Sequence, residues 1–161
     1  MATTMVDFYG LPAKKEDEAW PGRAEASSLN GEQKALHVES AMLEDVAAEM
    51  GGRFDVRRFV PFVVLHEFEG LLFSDCAAFS RAVDRPDLEA ALSDIRNQFA
   101  TPEDINDSPV TAPSKRVLRL IGGYDKPFHG PLAAIEIGLD SIRRECPHFD
   151  RWLARLESAC T

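Results

Sequence analysis

The chain has 161 residues, 45% of them apolar, and a net charge of -9 at pH 7. That size and composition suit one globular domain with a real core, while the charge excludes a protein that holds nucleic acid by bulk attraction to a basic surface. No stretch approaches the roughly 20 apolar residues of a membrane span, and the amino terminus lacks the basic and apolar regions of a signal peptide, so a cytoplasmic protein is expected.

Cys76, Cys146 and Cys160 are widely spaced and odd in number, which gives neither a disulfide framework nor a zinc pattern, and they read as ordinary thiols. "TTMVDFYG", Thr3 to Gly10, is rich in β-branched and aromatic residues and closes on glycine, so it predicts a short strand. The stretch from Leu11 to Gly31, with Pro12, Pro21, Gly22 and a charge cluster, reads as a loop. In "EQKALHVESAMLEDVAAEM" Val38, Met42, Val46 and Met50 recur every fourth residue and Gly51-Gly52 ends the pattern, which predicts a helix.

"DVRRFVPFVVLH" then carries a nearly continuous apolar run from Phe59 to Leu65, the pattern of a strand covered on both faces, although Pro61 cannot donate to a ladder. Strand, helix and strand make a βαβ unit with parallel strands. Two strands alone make no stable sheet, so further strands are expected from later segments or from outside this chain.

The second half predicts helices. One carries Leu88, Leu92, Ile95 and Phe99 on a single face, and a later one carries Leu132, Ile135, Leu139 and Ile142. A final helix follows Pro147 with Trp152, Leu153 and Leu156. Pro86 and Pro113 suit first-turn positions, "TPEDINDSPVTAPS" is a turn-rich loop, and "CPHF" reads as a helix junction. The fold class expected is therefore α/β, a partial parallel sheet followed by a mostly helical carboxyl-terminal half.

Ligands of open α/β sheets bind beyond the carboxyl ends of the strands. Asp7 closes the first predicted strand, and His66, Glu67 and Glu69 leave the second within "VVLHEFEGLLFSD". Carboxylates so placed suit a hard cation such as magnesium, which would let a -9 chain approach a phosphodiester. An extended backbone at 66–69 puts Glu67 and Glu69 on one face, whereas a helix puts His66 with Glu69. Two further readings stand beside this: an acidic pair that merely meets a helix dipole, and a His66 that is a hydrogen-bonded structural residue. Lys115 and Arg116 fall in the first turn of the helix opened at Pro113, where cations oppose the dipole, so an anion such as phosphate would relieve them. As with Arg119 and with Arg53, Arg57 and Arg58, solvated surface is the alternative.

"TTMVDFYGLP", "PG" at Pro21-Gly22, "FVPFVVLHEFEGLLFSD", "PEDINDSPVTAPSKR", "YDK" and "GLDSIRRECPHFDRWL" together resemble a bacterial domain-of-unknown-function family grouped with the TOPRIM-like nucleases and encoded beside an ABC- or SMC-like ATPase. The resemblance covers nearly the whole chain. It implies a single TOPRIM-like domain, magnesium- or manganese-dependent phosphodiester hydrolysis on DNA or RNA, an ATPase partner and a role in defence against phage. By resemblance Asp7, Glu67 and Glu69 would be metal ligands, Glu67, Glu69, His66 and Lys115 catalytic residues, and Ser114 and Arg116 substrate contacts. Asp7 matches the first acid of an Asp-x-Asp motif whose second position here is Tyr9. The family's upstream strand-helix segment, with its own glutamate, is expected to be missing from this chain. A non-catalytic module or inactive remnant that binds the ATPase through the helical half is the competing expectation, and homo-oligomerisation is left open.

Overall fold

The computed structural model describes residues 1–13, 19–106 and 111–159. The charge cluster at 14–18, Asp107 and Ser108 of the turn-rich loop, and Cys160 lie outside the described residues. The chain forms two compact units, one from residues 1–65 with the stretch from Arg151, the other from residues 66–150.

The first unit holds short strands β1 (Ala2–Thr3) and β2 (Val6–Asp7), helix α1 (Glu32–Met50), and strands β3 (Phe59–Val60) and β4 (Val63–Val64). The parallel pairing expected of a βαβ unit is present: β1 pairs with β3, and β2 pairs with β4 in the register Val6 to Val63 and Asp7 to Val64. The single long strand expected over Phe59–Leu65 is instead two pieces. Pro61 has no N–H to give, so the ladder lapses there, and the Thr4 hydroxyl takes up the Phe62 N–H at 3.3 Å. The first strand likewise stops at Asp7, where Phe8–Gly10 turns into one 3-10 turn. The later segments expected to widen the sheet add no strand among the described residues.

Helix α1 spans the predicted residues and ends at Gly51, whose φ of 74° is a conformation glycine adopts without steric cost. Its buried face is Ala35, Val38, Glu39 and Met42, while Met50 is 63% exposed. A four-residue recurrence overshoots a full turn by about 40° each time, so Val38 and Met50 cannot share one face. Phe8, Leu11, Ala26, Phe59, Val63 and Leu65 complete this core, with Trp20 and Phe54 at its margin. Gly22, with φ of 70°, lies against α1 so closely that a Cβ there would meet the Ala41 Cβ at 2.7 Å. From the carboxyl-terminal stretch, Trp152 stacks on Phe62 at 4.6 Å and donates its indole N–H to the Thr3 hydroxyl at 2.8 Å.

The second unit is helical, as the periodicity predicts. A buried 3-10 segment (Phe68–Ser74) leads into α2 (Cys76–Ala82), then α3 (Glu89–Arg96), α4 (Pro113–Leu120), α5 (Lys126–Ile137), α6 (Leu139–Glu145) and the start of α7 (Pro147–Ser158). Pro86, Pro113 and Pro147 open helical segments, and Cys146 is the junction between α6 and α7. One expectation fails: Leu132, Ile135 and Leu139 are exposed, and only Ile142 of that set is buried. Gly138, at φ 80°, breaks the predicted helix in two, and α5 turns Gly130, Ala133 and Ile137 inward instead.

Glu39 joins helix to sheet in the first unit, because its buried carboxylate accepts the Val63 N–H at 2.9 Å. Glu39→Ala leaves that amide without its acceptor and should lower unfolding stability by about 1–3 kcal/mol in chemical denaturation, whereas Glu39→Gln keeps an acceptor oxygen and should recover most of the loss.

Candidate functional site

The stretch after β4 is neither the extended strand nor the α-helix weighed above. Glu67 keeps an extended backbone and the 3-10 segment starts at Phe68, so the side chains of His66, Glu67 and Glu69 diverge to three partners within the second unit. The His66 ring nitrogen Nδ1 lies 3.5 Å from the Asn106 side-chain amide. The Glu67 carboxylate accepts the backbone N–H of Ser114, in the first turn of α4, at 2.8 Å. Lys126 Nζ, at the start of α5, lies 2.9 Å from Glu69 Oε2.

The carboxylate on Ser114 answers the frustration read at Lys115 and Arg116. The first turn of α4 carries two cations where the dipole favours an anion, and the anion present is Glu67. Lys115 is exposed, while Arg116 donates Nε–H to the Thr111 carbonyl at 2.7 Å and stands over the Phe99 ring. Ser114 is buried and contributes its backbone amide.

Glu69 is fully buried, whereas Lys126 is 48% exposed. Burial holds the Glu69 carboxyl above the usual carboxylate range, the Lys126 ammonium draws it partway back, and Glu67 pushes it slightly up again. Glu69 Oε1 and the buried Tyr124 hydroxyl have no hydrogen-bond partner among the described residues. Burial and the Glu69 charge both drive the Tyr124 phenol upward, so it stays protonated. The Tyr124 ring stacks on His129 at 5.5 Å. Gly130 makes this packing fit, since a Cβ there would sit 3.4 Å from the Phe68 ring and 3.6 Å from the Tyr124 hydroxyl.

Buried Glu103 receives the His148 and Phe149 backbone N–H groups, at 2.9 and 3.0 Å, and so closes the start of α7. Sequence reasoning missed Glu103, Tyr124 and Lys126 as contributors. The "PEDIN" and "YDK" blocks contain them, but no spacing argument ties residue 69 to residue 126. Burial pushes the thiols up to about 11 for Cys76 and about 12 for Cys146, so neither is a nucleophile at neutral pH.

Asp7 belongs to the first unit. It ends β2 in parallel register with Val64 and is half-buried. Arg23, also missed, packs against the two residues that follow Asp7: its Nε–H donates to the Phe8 carbonyl at 3.0 Å and its guanidinium covers the Phe8 ring at 3.9 Å, with the Tyr9 ring 5.9 Å away. Among the described residues no group of three or more His, Cys, Asp and Glu side chains is arranged to hold a metal ion. Arg57, in contrast to a phosphate-binding cluster, forks onto exposed Asp55 at the surface. No helix is long and apolar enough to cross a membrane among the described residues.

Residues 1–157 match the family described as "Domain of unknown function (DUF4276)". No curated protein and no solved structure matches the chain.

The raised Glu69 carboxyl binds its proton more tightly in the folded than in the unfolded chain. Its contribution is therefore most favourable below the unfolded value of about 4.3 and is lost as pH rises through the folded one. Unfolding midpoints measured from pH 4 to pH 8 should show this decline in the parent and a flatter profile in Glu69→Gln. Lys126→Met, which strands a buried carboxylate, should cost about 2–3 kcal/mol at pH 7, below the range for fully buried pairs because Lys126 is half-exposed.

Proposed function

We propose that this chain, which belongs to the DUF4276 family, is a TOPRIM-like domain of a metal-dependent nuclease that works with an ABC- or SMC-like ATPase in defence against phage. The observation that carries the reading is the parallel register of β2 with β4. It places Asp7 at the carboxyl end of a strand, where open α/β folds bind ligands, and β4 runs through Leu65 directly into the His66–Glu69 stretch.

The described side chains build no closed cation cage. Magnesium commonly needs only one or two protein carboxylates beside water and phosphate oxygens, and Asp7 is the residue that would hold it. Magnesium or manganese would supply positive charge and an activated water when bound. Arg23 is the cation packed beside the segment that follows Asp7 and would hold that segment in place. Lys115, exposed on the first turn of α4, would meet a phosphate. Glu67 and Glu69 were candidates for ligand or base. Their bonds to Ser114 and Lys126 instead give them the task of holding α4 and α5, with His66 likewise engaged toward Asn106.

That internal engagement is also what favours the second reading, a non-catalytic module that binds the ATPase. The two readings separate on metal and on cleavage. For the nuclease, calorimetry with manganese should show binding that Asp7→Asn abolishes, and manganese-dependent nicking of supercoiled DNA or cutting of RNA should fall at least 100-fold in the same variant. Absence of metal binding, or cleavage that is unchanged in Asp7→Asn, would leave the module as the function.

A further inference from the structure

Helix α5 is apolar on two sides. Gly130, Ala133 and Ile137 face the unit, while Phe128, Leu132 and Ile135 are 61%, 42% and 77% exposed, and Leu139 at the start of α6 is 52% exposed. The spacing 128, 132, 135 places three large side chains on one outer face of a single helix. Exposed apolar residues scattered singly need no explanation, but an aligned run of this kind marks an interaction surface.

The face is complementary to itself when reversed. Lys126 stands at the amino end of α5 and Glu136 near its carboxyl end, both about half exposed. Ten residues of helix separate them, about 15 Å. A copy of α5 laid antiparallel, with Leu132 near the axis, sets Phe128 against Ile135 of the second copy and Lys126 beside Glu136 of the second copy. Twofold symmetry makes each match twice. A parallel arrangement would put Lys126 against Lys126 and Glu136 against Glu136, so charge selects the reversed one. The two helix dipoles also oppose in this arrangement.

We infer that the outer face of α5 is a homodimer interface, in which two copies of this chain pack antiparallel through Phe128, Leu132 and Ile135 around a twofold axis. A second copy is preferred over a foreign helix because the charges and the apolar spacing of this one helix already satisfy one another on reversal. Leu139 extends the contact at each end. The Arg81–Glu136 ion pair at 3.4 Å between α2 and α5 is exposed and weak, so Glu136 can also meet a second cation.

Sedimentation equilibrium of the full chain tests this. The parent should run at twice the 17.9 kDa chain mass, and Ile135→Asp at the chain mass with an unchanged far-ultraviolet spectrum, because residue 135 lies outside the core. Leu132→Cys, at the axis, should form a disulfide-linked dimer on mild oxidation, and Ala134→Cys, away from the exposed face, should not. A monomeric parent overturns the inference, as does a dimer whose mass survives Ile135→Asp. A dimer in which Leu132→Cys fails to cross-link overturns the antiparallel arrangement.

Discussion

A helix begins with backbone amides that have no acceptor inside the helix, and enclosing such an end without an acceptor is costly. In residues 66–150 carboxylates carry that task. Glu67 meets the first turn of α4, Asp75 accepts the Ala78 N–H and caps α2, and Glu103 meets the first two amides it can reach on α7. Two of the three acids flank a single buried 3-10 segment, Phe68–Ser74, against which α2, α4, α5 and α6 all pack. Position and charge are therefore linked: a helix that moved away from this segment would lose both its apolar contact and its anion.

Glu69 belongs to the same economy of charge but solves another problem. It lies inside the segment, fully enclosed, and its counter-ion arrives from the start of α5. A buried pair of this sort is weak as a source of stability, yet breaking one half of it is costly, so it fixes which helix start may sit there. Gly130 and Gly70 permit the close approach around it. A Cβ at 70 would come within 3.2 Å of the Pro102 carbonyl, and one at 130 would crowd Phe68. The first unit uses the same device once, with the Glu39 carboxylate on the Val63 amide standing between α1 and a strand too short to hold itself.

Local signals carried much of the fold. α1 and its glycine stop, the proline-led helix starts, the 146–147 junction and the parallel pairing of the two apolar segments all follow from residues within a few positions of one another. Where reading failed, the cause was a longer-range or competing effect. Pro61 shortened a strand whose composition asked for continuity. In α5 the apolar residues on the outer face outnumbered the small inner ones, so periodicity chose the wrong side; Gly130 and Ala133 bury little area and leave little signal. The acids of "HEFE" were legible as unusual, but their partners at 106, 114 and 126 depend on the tertiary fold and are invisible to spacing.

The pairing of Glu69 with Lys126 also bears on how the chain is made. During synthesis Glu69 leaves the ribosome long before Lys126, and until then the segment around it would have to enclose an acid with no cation to answer it. Domains fold as units as they emerge, and this one cannot close its interior early. Residues 66–125 should stay open on the ribosome, exposed to chaperones, and collapse only once the start of α5 is out.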